Sequence, residues 1–160
     1  MERVVGTVEE LFDREYARLV RALGVAFDPE AAADAVQDAF IAADRRWARV
    51  GRLEDPAGWV RHVALNRLRN RRRDIRRRAE ILATIRPVAD EDLTDALLDL
   101  RRAIASLPER MRVAVCLYHL ADLRVDEVAA AMSVSAGTVK STLHDGRTRL
   151  RTLLEVPHHG

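Results

Sequence analysis

Apolar residues recur at three- and four-residue intervals along nearly the whole of this chain, and no segment sustains a two-residue alternation. Helices can bury such stripes on one face. Strands cannot, because successive strand side chains point to opposite faces. The expected fold is therefore all-α. Phe12, Tyr16, Leu19, Val20 and Leu23 form the stripe of a first helix, about 8–23. Asp28 and Pro29 supply an N-cap and a first-turn proline for a second helix, about 29–47, with Ala32, Val36, Phe40, Ala43 and Trp47 inward. A loop is expected over 48–54. Asp55 and Pro56 repeat the cap chemistry and open a third helix, whose apolar face holds Trp59, Val60, Val63, Ala64 and Leu68.

Beyond residue 78 the apolar spacing fails, and Pro87 interrupts it. This divides the chain into two small helical domains, 1–78 and 93–155, joined by a linker at 79–92 and followed by a tail at 156–160. In the second domain Leu97, Leu100, Ile104 and Leu107 mark one helix. Pro108 restarts the chain, and Met111, Val115, Leu117 and Leu120 mark the next. The stretch SVSAGTVKSTLHDGRTRL, 133–150, reads as the turn and second helix of a helix-turn-helix. Val128, Ala129 and Met132 lie in the amphipathic helix before it. Ser135 is a good N-cap, and Gly137 is expected to let the backbone enter the last helix closely packed. Val139, Leu143 and Leu150 form the inward stripe. Lys140, Ser141, His144, Arg147 and Arg151 then project outward, giving the apolar back and basic front that a major-groove helix needs.

Charge is distributed unevenly. The net charge is only +2, yet residues 61–78 hold nine arginines and one acid, Asp74, for a local +8. Asp90, Glu91, Asp92, Asp95 and Asp99 cluster just downstream. A basic helix with so few acids calls for a counter-charge, and phosphates would supply it with a steep salt dependence. The plainer alternative is a solvated helix end. Asn66 and Asn70, four apart, carry amides that can read base edges, as can the imidazole of His62. Arginine outnumbers the single lysine, Lys140, by twenty-six to one across the whole chain. That bias fits a GC-rich genome better than selection for phosphate forks, because it is not confined to the basic segment. A compact free state would bring the basic helix against the acidic cluster at 90–99 and inhibit itself.

Several classes are disfavoured. There is no nucleophile-elbow glycine pattern, no phosphate-cradling glycine loop and no cluster of metal ligands, so neither an enzyme, a cofactor nor a metal is expected. Cys116 is the only cysteine, lies in an apolar run and is expected to be a buried thiol. No run of eighteen apolar residues occurs and the N-terminus lacks a signal-peptide pattern, which makes the cytoplasm the expected compartment.

Three segments in order resemble the sigma factors of bacterial RNA polymerase, specifically the small extracytoplasmic-function (ECF) type. DAVQDAFIAADRRW, 34–47, resembles the helix that docks on the polymerase clamp. EDPAGWVRHVALNRLRNRRRDIRR, 54–77, resembles the helix that melts and reads the −10 element. The stretch from LPERMR at 107–112 through GTVKS at 137–141 to Leu154 resembles the −35-reading domain. The resemblance implies that Asp34, Gln37, Asp38 and Arg45 face the clamp of the largest polymerase subunit. It implies that the loop 49–54 and Asn66 hold a flipped non-template base, with Arg61, His62, Arg67, Asn70 and Arg71 nearby on DNA. It assigns Lys140, Ser141, His144 and Arg147 to the −35 element. Further implied partners are the flap of the second-largest subunit, promoter DNA and an anti-sigma factor. Thr142 and Asp145 depart from the family, which usually carries basic residues there, and predict altered −35 specificity. The linker can span the polymerase channel only if extended, at roughly 3.3 Å per residue. Two other functions compete with transcription initiation through core polymerase. One is a free-standing helix-turn-helix regulator that binds duplex DNA without polymerase; the other is an interaction protein that sequesters a partner.

Overall fold

In the computed structural model, the described residues are 6–79 and 94–155. They form eight helices and no strand: α1 (Val8–Ala26), α2 (Pro29–Arg45), α3 (Trp47–Val50), α4 (Pro56–Ala79), α5 (Asp95–Ser106), α6 (Glu109–His119), α7 (Val125–Met132) and α8 (Ala136–Glu155). Most of the linker, the residues Asp90, Glu91 and Asp92, and the 156–160 tail lie outside the described residues.

Local chemistry sets the helix starts. Thr7 and Glu10 form a reciprocal capping box at α1. The Asp28 carboxylate accepts from the Ala31 amide, with Pro29 behind it. Asp55 accepts from the Gly58 amide at α4. Ser135 accepts from the Thr138 amide and caps α8, as its sequence position predicts. Between α7 and α8 the chain turns at Ser133, which sits in the left-handed region at φ 57°. The expected loop at 48–54 is partly helical, because α3 continues to Val50 after a break at Arg46.

Helices α1, α2 and α4 pack on Leu19, Leu23, Val36, Phe40, Val60, Leu65 and Leu68. Helices α6, α7 and α8 pack on Val113, Leu117, Val128, Met132, Val139 and Leu143. Cys116 is buried among them, and burial pushes its thiol pKa up to about 12, so it is inert at neutral pH. The close helix approach falls at Gly146, not at Gly137. A Cβ on Gly146 would lie 3.0 Å from Val115, whereas one on exposed Gly137 would meet only the Ser135 hydroxyl at 3.9 Å. Three residues of the expected stripes are largely exposed: Phe12, Leu97 and Leu100. Phe12 stacks on Tyr16 and meets the Phe40 ring edge-on at the rim of the core.

The two apolar sets join into one continuous cluster, with α1 against α6 and α4 against α7. Arg112 of α6 is 5% exposed and donates to the carbonyls of Ala26 at the end of α1 and of Leu107. It therefore caps a helix of one domain from the other. Asp90, Glu91 and Asp92 of the cluster expected against the basic helix lie outside the described residues; among those described, α7 and Glu109 of the second domain meet α4.

Candidate nucleic-acid and polymerase interface

On α2, Asp34, Gln37, Asp38 and Arg45 are all exposed, because Ala32, Val36, Ala39, Phe40 and Ala43 bury the opposite face. The structure divides these four between two grooves. Gln37 and Arg45 line a groove against α1 with Phe12 and Ile41, which are 39% and 43% exposed. Asp34 and Asp38 line the groove against α4, where Asp34 lies 3.6 Å from Arg71 and Asp38 lies 3.8 Å from Arg67. These are long, solvent-exposed ion pairs that add little stability, and phosphates or a protein surface can displace them.

The residues expected on the −10 element fall into two groups. Arg67, Asn70 and Arg71 are exposed along the outer side of α4. Arg61, His62 and Asn66 face inward. Arg61 is 2% exposed, and its guanidinium grips Glu15 of α1 with two hydrogen bonds of 2.8 and 3.2 Å. A third contact, at 3.3 Å, reaches Glu127 of α7. Arg61 therefore presents no free donor to a phosphate in this arrangement. Burial alone would raise the pKa of Glu15. Hydrogen bonds from Arg61 and Arg18, together with their charges, outweigh burial and hold it below the ordinary glutamate value. His62 meets the Ala131 carbonyl through Nδ1 at 3.1 Å and the Ser133 hydroxyl at 3.3 Å, and its Nε2 faces the Asn66 amide at 3.0 Å. A neutral imidazole protonated at Nδ1 satisfies the contacts to Ala131 and Asn66 together.

Residues 51–54 line a cleft of about 920 Å³ with Gly6, Thr7, Glu10, Arg14, Trp47 and Asp55. Asn66 is not part of it. Ten residues into α4, it lies roughly 15 Å along the axis from the helix start. The structure thus does not bring the loop and Asn66 together around one base-sized site.

On α8, Lys140, Ser141, His144 and Arg147 are exposed opposite the buried Val139, Leu143 and Gly146. The Arg147 guanidinium stacks 5.6 Å above the Tyr118 ring of α6, which restrains it. Partial burial, helped by the charge of Arg147, lowers the pKa of neighbouring His119. Ser141 donates to the Thr138 carbonyl. Asp145 is exposed and makes no ion pair among the described residues.

The contacts that sequence reasoning missed are Glu15, Glu127, Arg72 and Arg112. Arg72, Glu127 and Arg112 stood inside quoted segments without being singled out, and Glu15 stood outside all of them. Arg72 pairs with Glu109 at 3.6 Å, and both Arg72 and Arg112 lie 5.9 Å from the Phe27 ring.

Two helical units bearing these surfaces define a DNA-binding protein whose second unit is a helix-turn-helix. Sigma-70 region 2 matches residues 11–78, and Sigma-70 region 4 matches residues 97–150. The RNA polymerase sigma-E factor of Streptomyces antibioticus is 34% identical over 146 residues, covering 89% of this chain and 81% of that protein. The sigma-E factor of Streptomyces avermitilis is 32% identical, covering 96% and 84%. Among solved structures, the sigma factor RpoE of Bartonella quintana, in complex with the anti-sigma factor NepR, superposes with a TM-score of 0.69 at 25% identity, covering 94% of this chain and 97% of that one. CnrH, in complex with the cytosolic domain of CnrY, shares the fold at 21% identity and a TM-score of 0.63. The chain belongs to the RNA polymerase sigma factors of the ECF type. It is accordingly a factor that joins core polymerase and directs initiation at specific promoters. Among the described residues no helix is long and apolar enough to cross a membrane.

Proposed function

We propose that the chain performs initiation as a non-catalytic, cytoplasmic factor with three separate working surfaces, carried by domains at 1–78 and 93–155. The outer face of α2, with Asp34, Gln37, Asp38 and Arg45, docks on the clamp of core polymerase. The apolar rim of Phe12 and Ile41 beside Gln37 gives that surface a desolvated centre within a polar surround, the anatomy of a specific interface. Helix α4 takes the melted −10 strand, with Arg67, Asn70 and Arg71 on the backbone and His62 and Asn66 towards the bases. Helix α8 takes the −35 duplex through Lys140, Ser141, His144 and Arg147. The C-terminal domain also meets the flap of the second-largest subunit. Strand opening follows from tighter binding to melted than to paired DNA, so the chain needs no reactive group. An unstacked base costs a few kcal/mol, which phosphate contacts and a base site together offset.

The observation that carries this reading is the order of surfaces along one chain: exposed acids on α2, a basic α4 and a basic-fronted recognition helix α8. RpoE was solved with the anti-sigma factor NepR, and CnrH with the cytosolic domain of CnrY. An anti-sigma factor for this chain would cover the same clamp-docking or DNA-facing surfaces, and a pull-down from native lysate should yield it beside polymerase subunits. The primary test is reconstitution with purified core and run-off transcription from a library randomised at −35 and −10. Core-dependent transcripts sharing a bipartite motif are the expected result. Specific duplex binding by the protein alone, with no transcripts, would replace this reading with the free-standing regulator.

A further inference from the structure

Lys140 is the one lysine in the sequence, and the twenty-six arginines carry the rest of the side-chain positive charge. A guanidinium stays protonated, whereas a lysine amine that has lost its proton is a nucleophile towards acyl groups. The chain therefore offers one side-chain amine to acyl donors, and α8 sets it on the face assigned to the −35 element. Its surroundings leave it open. Lys140 is exposed and makes no hydrogen bond or ion pair among the described residues. No carboxylate lies within a turn of it, since 136–144 reads AGTVKSTLH. Gly137, one turn before, has no side chain, and a Cβ there would meet only the Ser135 hydroxyl at 3.9 Å. His144, one turn after, is exposed on the same side, where residues four apart on a helix are about 5–6 Å apart at Cβ. An imidazole so placed can take the proton that the ammonium must shed. Arg147 and Arg151 continue the basic front and draw anionic donors to it.

We propose that Lys140 is an acylation site that takes acyl phosphates, and that the acyl group weakens the chain's hold on the −35 duplex. The proposal rests on the assignment of α8 to that element. The ammonium gives up two protons. His144 passes the first to solvent, which frees the lone pair of Nζ. Nζ then attacks the acyl carbon, the bond from that carbon to the phosphate oxygen breaks, and the phosphate leaves with the electron pair and takes the second proton. The products are an amide and inorganic phosphate, with no change of oxidation state. The amide is neutral and keeps one N–H where the ammonium had three, so a phosphate contact is lost with the charge. The outer face of α8 is exposed in the free chain, so the reaction needs no prior opening.

The test treats the full-length chain with acetyl phosphate and maps the product by peptide mass, which separates Lys140 from the terminal amine. Lys140 should be acetylated, and several-fold more slowly in His144→Gln. Assembled with core, the acetylated chain should bind promoter duplex about five- to tenfold more weakly at about 0.1 M salt, with its salt slope reduced by about one. Lys140→Arg has no such amine, and its promoter binding, whatever its starting value, should not respond to acetyl phosphate. An unmodified Lys140 under conditions that acetylate a free lysine derivative would overturn the proposal. So would acetylation that leaves affinity and slope unchanged while Lys140→Glu lowers both, an outcome that keeps the −35 assignment. If Lys140→Glu and Arg147→Glu also leave binding unchanged, that assignment falls and the proposal with it.

Discussion

The two helices proposed to read DNA are built to opposite plans. The outer face of α8 is open, its polar side chains exposed over a buried stripe of Val139, Leu143 and Gly146. The inner face of α4 is closed by the chain itself, through Arg61, His62 and Asn66. A duplex presents its major groove without rearrangement, so its reader can stand ready. Beyond Arg67, the exposed Arg71, Arg73, Arg76 and Arg77 of α4 supply attraction that does not depend on those inner contacts.

The comparison breaks most sharply at Arg61. If it were a DNA contact like Lys140, Arg61→Ala would weaken promoter binding and leave stability alone. The packing predicts the reverse. Removing it leaves the buried Glu15 carboxylate to Arg18 alone, and losing one partner of a buried pair costs up to about 3–5 kcal/mol. Denaturant unfolding should show that loss, and replacing Glu15 and Arg61 together by leucine should recover most of it.

Asp145 sharpens the other side. It is the one acid between Glu127 and Glu155, placed on an otherwise basic helix. A carboxylate there either accepts from a cytosine amino group or merely repels phosphates, and a good base contact is worth about 1–3 kcal/mol of discrimination. Asp145→Arg is expected to shift the base preferred at one −35 position in a run-off library. Unchanged preference and unchanged affinity would show that the face is not used as assigned.

Acid gives a smaller and broader effect. Because the Glu15 pKa is lowered in the folded chain, its ion pair with Arg61 contributes fully above the ordinary glutamate value, 4.5. That contribution fades as pH falls below 4.5 and through the lowered value. Thermal unfolding followed from pH 6 downward should show wild-type stability falling more steeply than that of the Glu15→Leu, Arg61→Leu pair. The smallest effect is expected at Ser133, held at φ 57°. Ser133→Gly relieves a left-handed strain of about 1–2 kcal/mol, less the entropy that glycine adds to the unfolded chain and what is lost with the 3.3 Å contact to His62. Differential scanning of the full chain would measure the balance.

Helix identity and most boundaries were legible from capping residues and apolar period: Asp28 with Pro29, Asp55 with Pro56, and Ser135 all act where their positions predicted. The exposed faces of α2 and α8 were legible for the same reason, since a helix with one buried stripe leaves the opposite side to solvent. Phe12, Leu97 and Leu100 were misplaced because period alone cannot say whether a stripe's edge meets a neighbour or water. Arg61 and Arg69 are two of nine arginines between 61 and 78, yet one is buried in an ion pair and the other half-buried with its pKa lowered by burial. Periodicity gave no means of separating Arg61 from Arg71.

Local order is what the sequence determined by itself: seven of the eight helices, each set by a cap, a proline or a stripe near the residue concerned, with the short α3 falling where a loop was expected. Only tertiary structure decided which arginines hold the molecule together and which remain free to hold DNA. That choice depends on acids far away in sequence, Glu15 at 46 positions from Arg61 and Glu127 at 66. A guanidinium leaves water only where such partners converge to satisfy it.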